Sequence, residues 1–231
     1  MKRIAIGNLM NLRDLGGYPI VGGGNTRYGV FLRSDAPISL TNEDKQKLLE
    51  MGIRDTIDLR SQEETEKQPS SLNHVADFSY HHCPLSGYFQ FFTSEDEIPH
   101  SYMEFVERKD TVKNIMLIVA NAPNGVLYHC AVGKDRTGVI SAILLLLAGV
   151  GVDDILADYQ VSYTYIRQWV EKRHEEYPSM PAWVGQSKIE YMDKFIKLFH
   201  QKYNSVQDYL LETGLHRAEI EKIRTKLQNN D

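Results

Sequence analysis

The 231-residue sequence is poor in cysteine and in long apolar runs, and it carries no excess of positive charge. Only Cys83 and Cys130 occur, which excludes a disulfide framework and fits a reducing compartment. The longest apolar stretch, around residues 139–150, is shorter than the roughly 20 residues that span a bilayer. The first residues lack the apolar core of a secretory signal. We therefore expect a cytoplasmic protein without an integral membrane segment, with export by a route that needs no signal peptide left open.

The balance of charged residues also limits the classes of protein to which the chain could belong. The chain has 26 basic and 31 acidic residues and a net charge of −5, whereas a general nucleic-acid binder is normally basic. Its hydrophobic content of 42% and charged content of 25% are ordinary for a soluble globular protein. A chain of this length can bury one sizeable core, so we predict a single domain over residues 1–231. The oligomeric state stays open.

The order of the predicted elements favours an α/β fold. Strands alternate with helices in the first part of the chain, and only helices follow, which predicts a mostly parallel central sheet flanked by helices. Thr41 and Asp44 form a predicted helix cap. Residues 175–231 are predicted to form a helical C-terminal extension. Residues 86–110 are a candidate lid insertion, because they hold an aromatic cluster that serves either as a lid or as ordinary core: Tyr88, Phe89, Phe91 and Phe92.

Residues 129–138, with the sequence His-Cys-Ala-Val-Gly-Lys-Asp-Arg-Thr-Gly, carry the strongest functional pattern. The apolar residues 126–128 before them predict a buried strand, and the apolar run 139–148 after them predicts a helix. This order places the 129–138 loop at a helix N-terminus. Backbone N–H groups and the helix dipole favour an anion at such a position. The pattern therefore predicts an anion-binding loop.

The side chains of this loop suit chemistry on a phosphate. Cys130 can act as a nucleophile when it is a thiolate, a form that convergent N–H groups and a nearby cation stabilise. Arg136 presents a planar fork that can bind two phosphoryl oxygens. Gly133 permits a tight turn. The hydroxyl of Thr137 could reach the sulfur, and the ring of His129 could orient the loop.

The sequence of the 129–138 loop resembles the signature loop of the protein tyrosine phosphatase superfamily. More narrowly, the Lys134-Asp135 pair is similar to the loop of a bacterial branch of atypical tyrosine and lipid phosphatases. Three further segments match that branch, and the resemblance covers most of residues 8–165, with looser matches at Asp158-Tyr159 and Ser162. The three segments are Asn11–Gly17, Arg33–Asp35 and Asp58–Arg60. The resemblance implies the cysteine-phosphatase fold.

This resemblance also implies a reaction in two steps on a phosphate monoester, without metal or other cofactor. Cys130 attacks phosphorus, an acid protonates the leaving oxygen, and water hydrolyses the phosphocysteine. His129, Thr137 and Asp58 are expected to support the reaction. The residues expected to bind the phosphate are Ala131, Val132, Gly133, Lys134, Asp135 and Arg136.

Three aspartates are candidates for the general acid. The bacterial branch points to Asp135, which must lie near the phosphate because it is next to Arg136. Asp96 lies 34 residues before Cys130, a spacing that many superfamily members show, but it belongs to an acidic run that also fits a solvated surface. Asp58 is a further candidate, although pairing with an arginine explains it as well. We prefer Asp135.

The sequence indicates the type of reaction more narrowly than it indicates the natural substrate. Protein phosphotyrosine, with dual specificity, is the first choice. Lys134 adds a second cation, which implies either tolerance for phosphoinositides or only a stronger local potential. A non-catalytic phosphate-binding module is a further alternative, as is a sulfur-transfer or arsenate-reducing enzyme, for which Cys83 would be the sole resolving thiol. His81-His82 is too short a pairing to form a metal site alone.

Overall fold

A computed structural model of the chain describes residues 2–85 and 93–228. The aromatic cluster Tyr88, Phe89, Phe91 and Phe92 lies outside these ranges, so the described structure does not address its predicted role as a lid.

The described part of the chain contains one six-stranded sheet with the order β1-β2-β3-β6-β4-β5. β3, β6, β4 and β5 pair in parallel, whereas β2 joins β3 antiparallel and β1 joins β2 antiparallel. The mostly parallel α/β sheet expected from the sequence is confirmed. The strands are β1 (Lys2–Arg3), β2 (Arg13–Asp14), β3 (Phe31–Ser34), β4 (Ile53–Asp58), β5 (Ser79–His82) and β6 (Gly125–His129).

Helices flank the sheet, and local signals define several of their ends. Thr41 and Asp44 form the predicted capping box at the start of the first helix, and Gly52 follows that helix with a φ of +78°. A 3-10 turn at Glu95–Glu97 precedes the third helix. The helices are α1 (Asn42–Glu50), α2 (Gln62–Lys67), α3 (Ile98–Glu107), α4 (Lys109–Asn121), α5 (Asp135–Ala148), α6 (Val152–Glu176), α7 (Ile189–Lys202), α8 (Val206–Glu212) and α9 (Arg217–Leu227).

α5 is the buried centre of the helical layers. Most of its side chains are buried, because the C-terminal helices pack around it and around α3, α4 and α6. Phe195, Tyr209 and Ile223 from these helices belong to the same apolar cluster as the strand residues Val126 and Ile57. No helix in the described ranges combines the length and the apolar character needed to cross a membrane.

Three neighbouring parallel strands end side by side at one edge of the sheet. Ser34 at the end of β3 and Asp58 at the end of β4 both pair with His129 at the end of β6. Ligand sites of open α/β sheets lie at the carboxyl ends of the strands. The 129–138 loop begins at this edge.

Candidate active site

The 129–138 loop links the central strand to the buried helix. Cys130 follows β6 directly, and Asp135 is the first residue of α5. Gly133 has a φ of +68°, and a Cβ on it would lie 2.5 Å from the backbone carbon and oxygen of Ser34. The loop is therefore pressed against the end of β3, which requires glycine at this position.

Several carbonyl groups of the 129–138 loop accept hydrogen bonds from neighbouring segments of the chain. The carbonyl of Ala131 accepts a hydrogen bond from the N–H of Ala36 at 3.0 Å. Asn11 Nδ2 donates to the carbonyls of Val132 at 2.8 Å and Gly133 at 3.0 Å. In a trans peptide the C=O and the following N–H point in opposite directions. The N–H groups that follow these carbonyls therefore face the opposite, concave side of the loop, where they can bind an anion.

A buried ion network supports this arrangement from behind. Asp158 of α6 pairs with Arg13 of β2 at 2.8 Å and with Arg33 of β3. Arg33 Nη2 also donates to the carbonyl of Gly133 at 2.8 Å, and Arg13 Nη1 donates to Asn11 Oδ1. Burial opposes the ionisation of Asp158, but the two arginines outweigh it and lower its pKa to about 2. The ionised Asp158 thus holds Arg33 against the loop and Arg13 against Asn11, which itself donates to the loop.

Arg136 is held in place by a carboxylate that the sequence did not single out. Its Nη1 and Nη2 atoms lie 2.6 Å and 2.8 Å from the two oxygens of Glu64. Burial lowers the pKa of Arg136, but the paired carboxylate of Glu64 raises it by more, so the guanidinium stays charged. Glu64 occupies the end of the guanidinium, and the side formed by Nε and Nη2 is the one that can bind an oxyanion.

Cys130, the predicted nucleophile, lies deep in the loop. Cys130 is only 2% exposed, so a substrate must enter the loop to reach its sulfur. Thr137 is fully buried, and its hydroxyl has no hydrogen-bond partner within residues 2–85 and 93–228. The hydrogen bond from Thr137 to the sulfur is therefore not formed in this state.

His129 and Asp58 lie beneath the loop, where three strands end. Burial lowers the pKa of His129, its Nδ1 lies 3.2 Å from the carbonyl of Cys130, and its Nε2 lies 3.6 Å from Asp58. Asp58 pairs with Arg60 at 2.6 Å and accepts a hydrogen bond from Tyr80. Burial opposes the ionisation of Asp58, but His129 and Arg60 bring its pKa down to about 2. A carboxylate that stays ionised in this way is a poor proton donor.

Asp135 stands at the other side of the loop. Its Oδ1 accepts a hydrogen bond from the hydroxyl of Tyr102 and lies 3.3 Å from Lys134 Nζ. Tyr102 in turn shares a hydrogen bond of 2.6 Å with Tyr159. Both contacts fall on Oδ1, so Oδ2 is the oxygen that these two neighbours leave available. The competing candidate Asp96 is exposed in the 3-10 turn.

The side chain of Lys134 is held by two neighbouring residues. Its side chain is buried, and its Nζ donates to the carbonyl of Gln186 at 2.7 Å in addition to its contact with Asp135. The second cation that the sequence predicted is therefore partly neutralised by its neighbours.

The two adjacent histidines of β5 have separate partners. His81 Nε2 lies 3.0 Å from Asp55, and His82 Nε2 lies 2.9 Å from the carbonyl of Arg60. Within the described ranges, no three His, Cys, Asp or Glu side chains are grouped as metal ligands.

Glu64 and Tyr102 received no role from the sequence, although both contact loop residues. Ser61 and Glu64 show the spacing of a capping box, a local signal that predicts a helix start but not a contact with Arg136. No local pattern singles out Tyr102. Asn11, Arg13, Arg33 and Asp158 lay in segments that matched the bacterial branch, but their hydrogen bonds to one another required the structure.

Comparison with known proteins identifies the family of the chain. The model of the family described as "Tyrosine phosphatase family" matches residues 4–229. A tyrosine-protein phosphatase of Nostoc commune is 27% identical over 221 residues, covering 85% of this chain and 74% of that protein. The triple specificity protein phosphatase PtpB of Mycobacterium tuberculosis is 28% identical over 127 residues, covering 48% of this chain and 45% of that protein.

Among solved structures, the crystal structure of TpbA from P. aeruginosa covers 61% of this chain and 80% of its own, with 14% identity and a TM-score of 0.33. The family match spans nearly the whole chain and includes every residue of the site described above. It confirms the resemblance that the loop sequence indicated. The chain belongs to the tyrosine phosphatase family and is an enzyme of the hydrolase class.

Proposed function

We propose that the protein hydrolyses phosphate monoesters through a phosphocysteine intermediate. The thiolate of Cys130 forms a bond to phosphorus while the bond to the ester oxygen breaks, and Asp135 donates a proton to that oxygen. Water then attacks the phosphocysteine, gives its proton to Asp135 and releases inorganic phosphate with the thiolate restored. Each step uses groups of this chain and water alone.

The orientation of the loop backbone carries the proposal. Because the carbonyls of residues 131–133 bond to the scaffold, the N–H groups that follow them converge where the equatorial oxygens of phosphorus would lie. The side of Arg136 that Glu64 leaves available completes this positive field. Donors fixed before the reaction stabilise the developing charge without reorganisation.

Asp135 is the acid that best fits the geometry. It adjoins the loop, it is partly exposed, and one of its oxygens faces neither Tyr102 nor Lys134. Asp58 is buried and ionised through its pair with Arg60, which suits a supporting role.

Protein phosphotyrosine, with dual specificity, is the proposed substrate class. The names of the relatives support it, since one is a tyrosine-protein phosphatase and another a triple specificity protein phosphatase. A phosphoinositide is the alternative. The contacts of Lys134 with Gln186 and Asp135 weaken the case for a second phosphate subsite at that side chain.

The chemistry of Cys83 disfavours a sulfur-transfer or arsenate-reducing function. The thiol is buried, it accepts a hydrogen bond from Asn114 at 3.4 Å, and burial raises its pKa to about 11. A resolving thiol must be reachable and must ionise. A non-catalytic binding module is tested together with the mechanism below.

The decisive experiment is to trap the intermediate. Wild-type protein mixed with a radiolabelled aryl phosphate and denatured within milliseconds should carry the label on Cys130, located by mass spectrometry of peptides. Cys83→Ser is the matched control, because it removes the other thiol and should become labelled and turn over like wild type. Cys130→Ser should show neither label nor turnover. Full activity in Cys130→Ser would refute the mechanism, and the absence of turnover in wild type would favour a binding module.

A further inference from the structure

Two buried tyrosines form a hydrogen-bonded pair that ends on Asp135. The hydroxyl of Tyr102 in α3 donates to Oδ1 of Asp135, and it lies 2.6 Å from the hydroxyl of Tyr159 in α6. Both phenol rings are buried, whereas the side chain of Asp135 is 21% exposed and lines an open cavity beside the 129–138 loop. The tyrosine pair, Tyr102 and Tyr159, therefore contacts Asp135 from the protein interior.

The chemistry of the three groups fixes the direction of these hydrogen bonds. An ionised carboxylate has no proton to donate, so the single hydroxyl proton of Tyr102 points to Asp135. The oxygen of Tyr102 is then free to accept the proton of Tyr159. Burial, together with the charge of Asp135, raises the pKa of both phenols well above the ordinary value of 10, so both hydroxyls remain donors at neutral pH.

The contact with Tyr102 also turns Asp135 away from its own helix. Asp135 is the first residue of α5, a position from which a carboxylate can bind the free N–H groups of the first turn. In the part of the chain that the structure describes, its carboxylate instead contacts Tyr102 and, at 3.3 Å, Lys134 Nζ. Both contacts involve Oδ1, so the orientation of the carboxyl group depends on one of its two oxygens.

The two cations next to Asp135 in sequence have close partners elsewhere. Lys134 Nζ donates to the carbonyl of Gln186 at 2.7 Å, which is shorter than its contact with Asp135. Both Nη atoms of Arg136 are bound to Glu64. The hydroxyl that the tyrosine pair presents is therefore the group that holds the carboxyl group of Asp135 in one orientation.

This contact determines which oxygen of Asp135 carries the proton. When the carboxyl group is protonated, the hydroxyl of Tyr102 still donates to Oδ1, so the acid proton resides on Oδ2. Without that hydroxyl, rotation about the Cβ–Cγ bond, which has a broad energy profile in aspartate, would exchange the two oxygens. A general acid is effective only when its proton lies within hydrogen-bond reach of the leaving oxygen.

We infer that Tyr102 is a positioning residue for the general acid: its hydroxyl, oriented by Tyr159, holds Oδ1 of Asp135 and leaves the proton on Oδ2 for the leaving group. The inference rests on the proposed function, because it takes Asp135 as the acid. It extends the groups that govern proton transfer beyond the 129–138 loop, to α3 and α6.

Tyr102→Phe tests the inference, because it removes the hydroxyl and keeps the ring. For phenyl phosphate, kcat/KM should fall about tenfold, a part of the roughly 100-fold loss expected when the acid itself is removed. For p-nitrophenyl phosphate, whose leaving group needs little protonation, it should stay within about twofold of wild type. Inhibition by inorganic phosphate, which needs only the loop, should also stay within about twofold. A merely structural role of Tyr102 would lower kcat/KM for the two substrates together.

Tyr209→Phe is the matched control, because its buried hydroxyl donates to the carbonyl of Val106 in the helix that also carries Tyr102. It should leave kcat/KM for both substrates within about twofold of wild type, although it also removes a buried hydrogen bond. Tyr159→Phe, which removes only the donor to Tyr102, should show the leaving-group difference of Tyr102→Phe to a smaller extent. Added to Tyr102→Phe, it should change nothing further.

Asp135→Asn distinguishes this inference from the proposed function. In an Asp135→Asn background, Tyr102→Phe should not lower kcat/KM for phenyl phosphate further, because no acid remains to be positioned. A further loss of about tenfold in that background, or an equal effect of Tyr102→Phe on the two substrates in the active enzyme, would overturn the positioning role and leave the mechanism intact. A lack of any leaving-group difference in Asp135→Asn itself would instead remove Asp135 as the acid of the proposed function.

Discussion

Glu64 closes the capping box of α2 with Ser61 and holds the end of Arg136 through both of its carboxylate oxygens. Burial raises the pKa of Glu64, but the hydrogen bonds and charge of Arg136 lower it by more, so the carboxylate is ionised at neutral pH. Glu64 therefore joins the start of α2 to Arg136, the side chain proposed to bind the phosphate. The position of Arg136 depends on this pair.

Glu64→Gln tests the pair without removing the cap, because glutamine also completes a capping box. Loss of the charged hydrogen bonds, worth about 1.5–3 kcal/mol, should lower kcat/KM by roughly 10–100-fold. The free energy of unfolding should fall by no more than this amount. Steady-state kinetics on phenyl phosphate measure the effect, and the neighbouring Glu63→Gln, at an exposed residue paired with Lys67, serves as control. Equal activity of the two variants would contradict the assigned role of Glu64.

Asp135→Asn separates proton donation from binding. A phenolate leaves poorly without a proton, whereas p-nitrophenolate leaves readily. Because kcat/KM reports the step that breaks the ester bond, it should fall about 100-fold for phenyl phosphate and far less for p-nitrophenyl phosphate. Asp96→Asn, at an exposed position, should leave both rates unchanged. If Asp135→Asn lowers kcat/KM equally for the two substrates, Asp135 is not the acid.

At the scale of elements, three parts of the fold meet behind the loop. β2 and β3 supply Arg13 and Arg33, and α6 supplies Asp158, so that one buried carboxylate joins two strands and a helix. A buried charge without its partner is costly. The shape of the 129–138 loop therefore depends on elements that lie far away in sequence.

Replacing Asp158 by asparagine should destabilise the protein strongly. Arg13 and Arg33 would remain buried without their counter-ion, which typically costs about 3–5 kcal/mol. Urea unfolding followed by circular dichroism measures this loss. Asp153→Asn, at an exposed residue in the first turn of the same helix, should cost less than about 1 kcal/mol. A common urea midpoint for both variants would show that the ion network contributes little.

The same elements show what the sequence could and could not predict. Local signals were sufficient for the Thr41 capping box, for the apolar helix α5 and for the loop between β6 and α5. The pair of Glu64 with Arg136 joins residues 72 positions apart, and the bond from Asn11 to Val132 joins residues 121 positions apart. Such contacts depend on strand order and helix packing, which local sequence patterns do not predict.

At the scale of the whole molecule, two deeply buried carboxylates contribute to the loss of stability in acid. Asp58 and Asp158 both have pKa values of about 2, below the ordinary value of 3.8, because their arginine partners outweigh the effect of burial. The folded state therefore binds fewer protons than the unfolded chain between these values. Stability from both groups is complete above about pH 5 and is lost as the pH falls toward 2.

This difference predicts a loss of roughly 2 kcal/mol from the two carboxylates together between about pH 5 and about pH 3. Urea unfolding at both pH values measures it. Asp158→Asn should lose about 1 kcal/mol less than wild type over the same interval, because the contribution of Asp158 is removed from the sum. Identical pH dependence in the two proteins would show that Asp158 does not contribute.

The hydrogen bonds and ion pairs behind the 129–138 loop also affect the rate of refolding. Arg33 and Asn11 hold the loop across 100 to 122 positions, and Arg13 meets Asp158 across 145 positions. Contacts between distant segments form slowly, because loop closure must precede them. Helical circular dichroism should therefore return early after dilution from urea, and hydrolytic activity should return only in the last phase, when both halves of the chain have met.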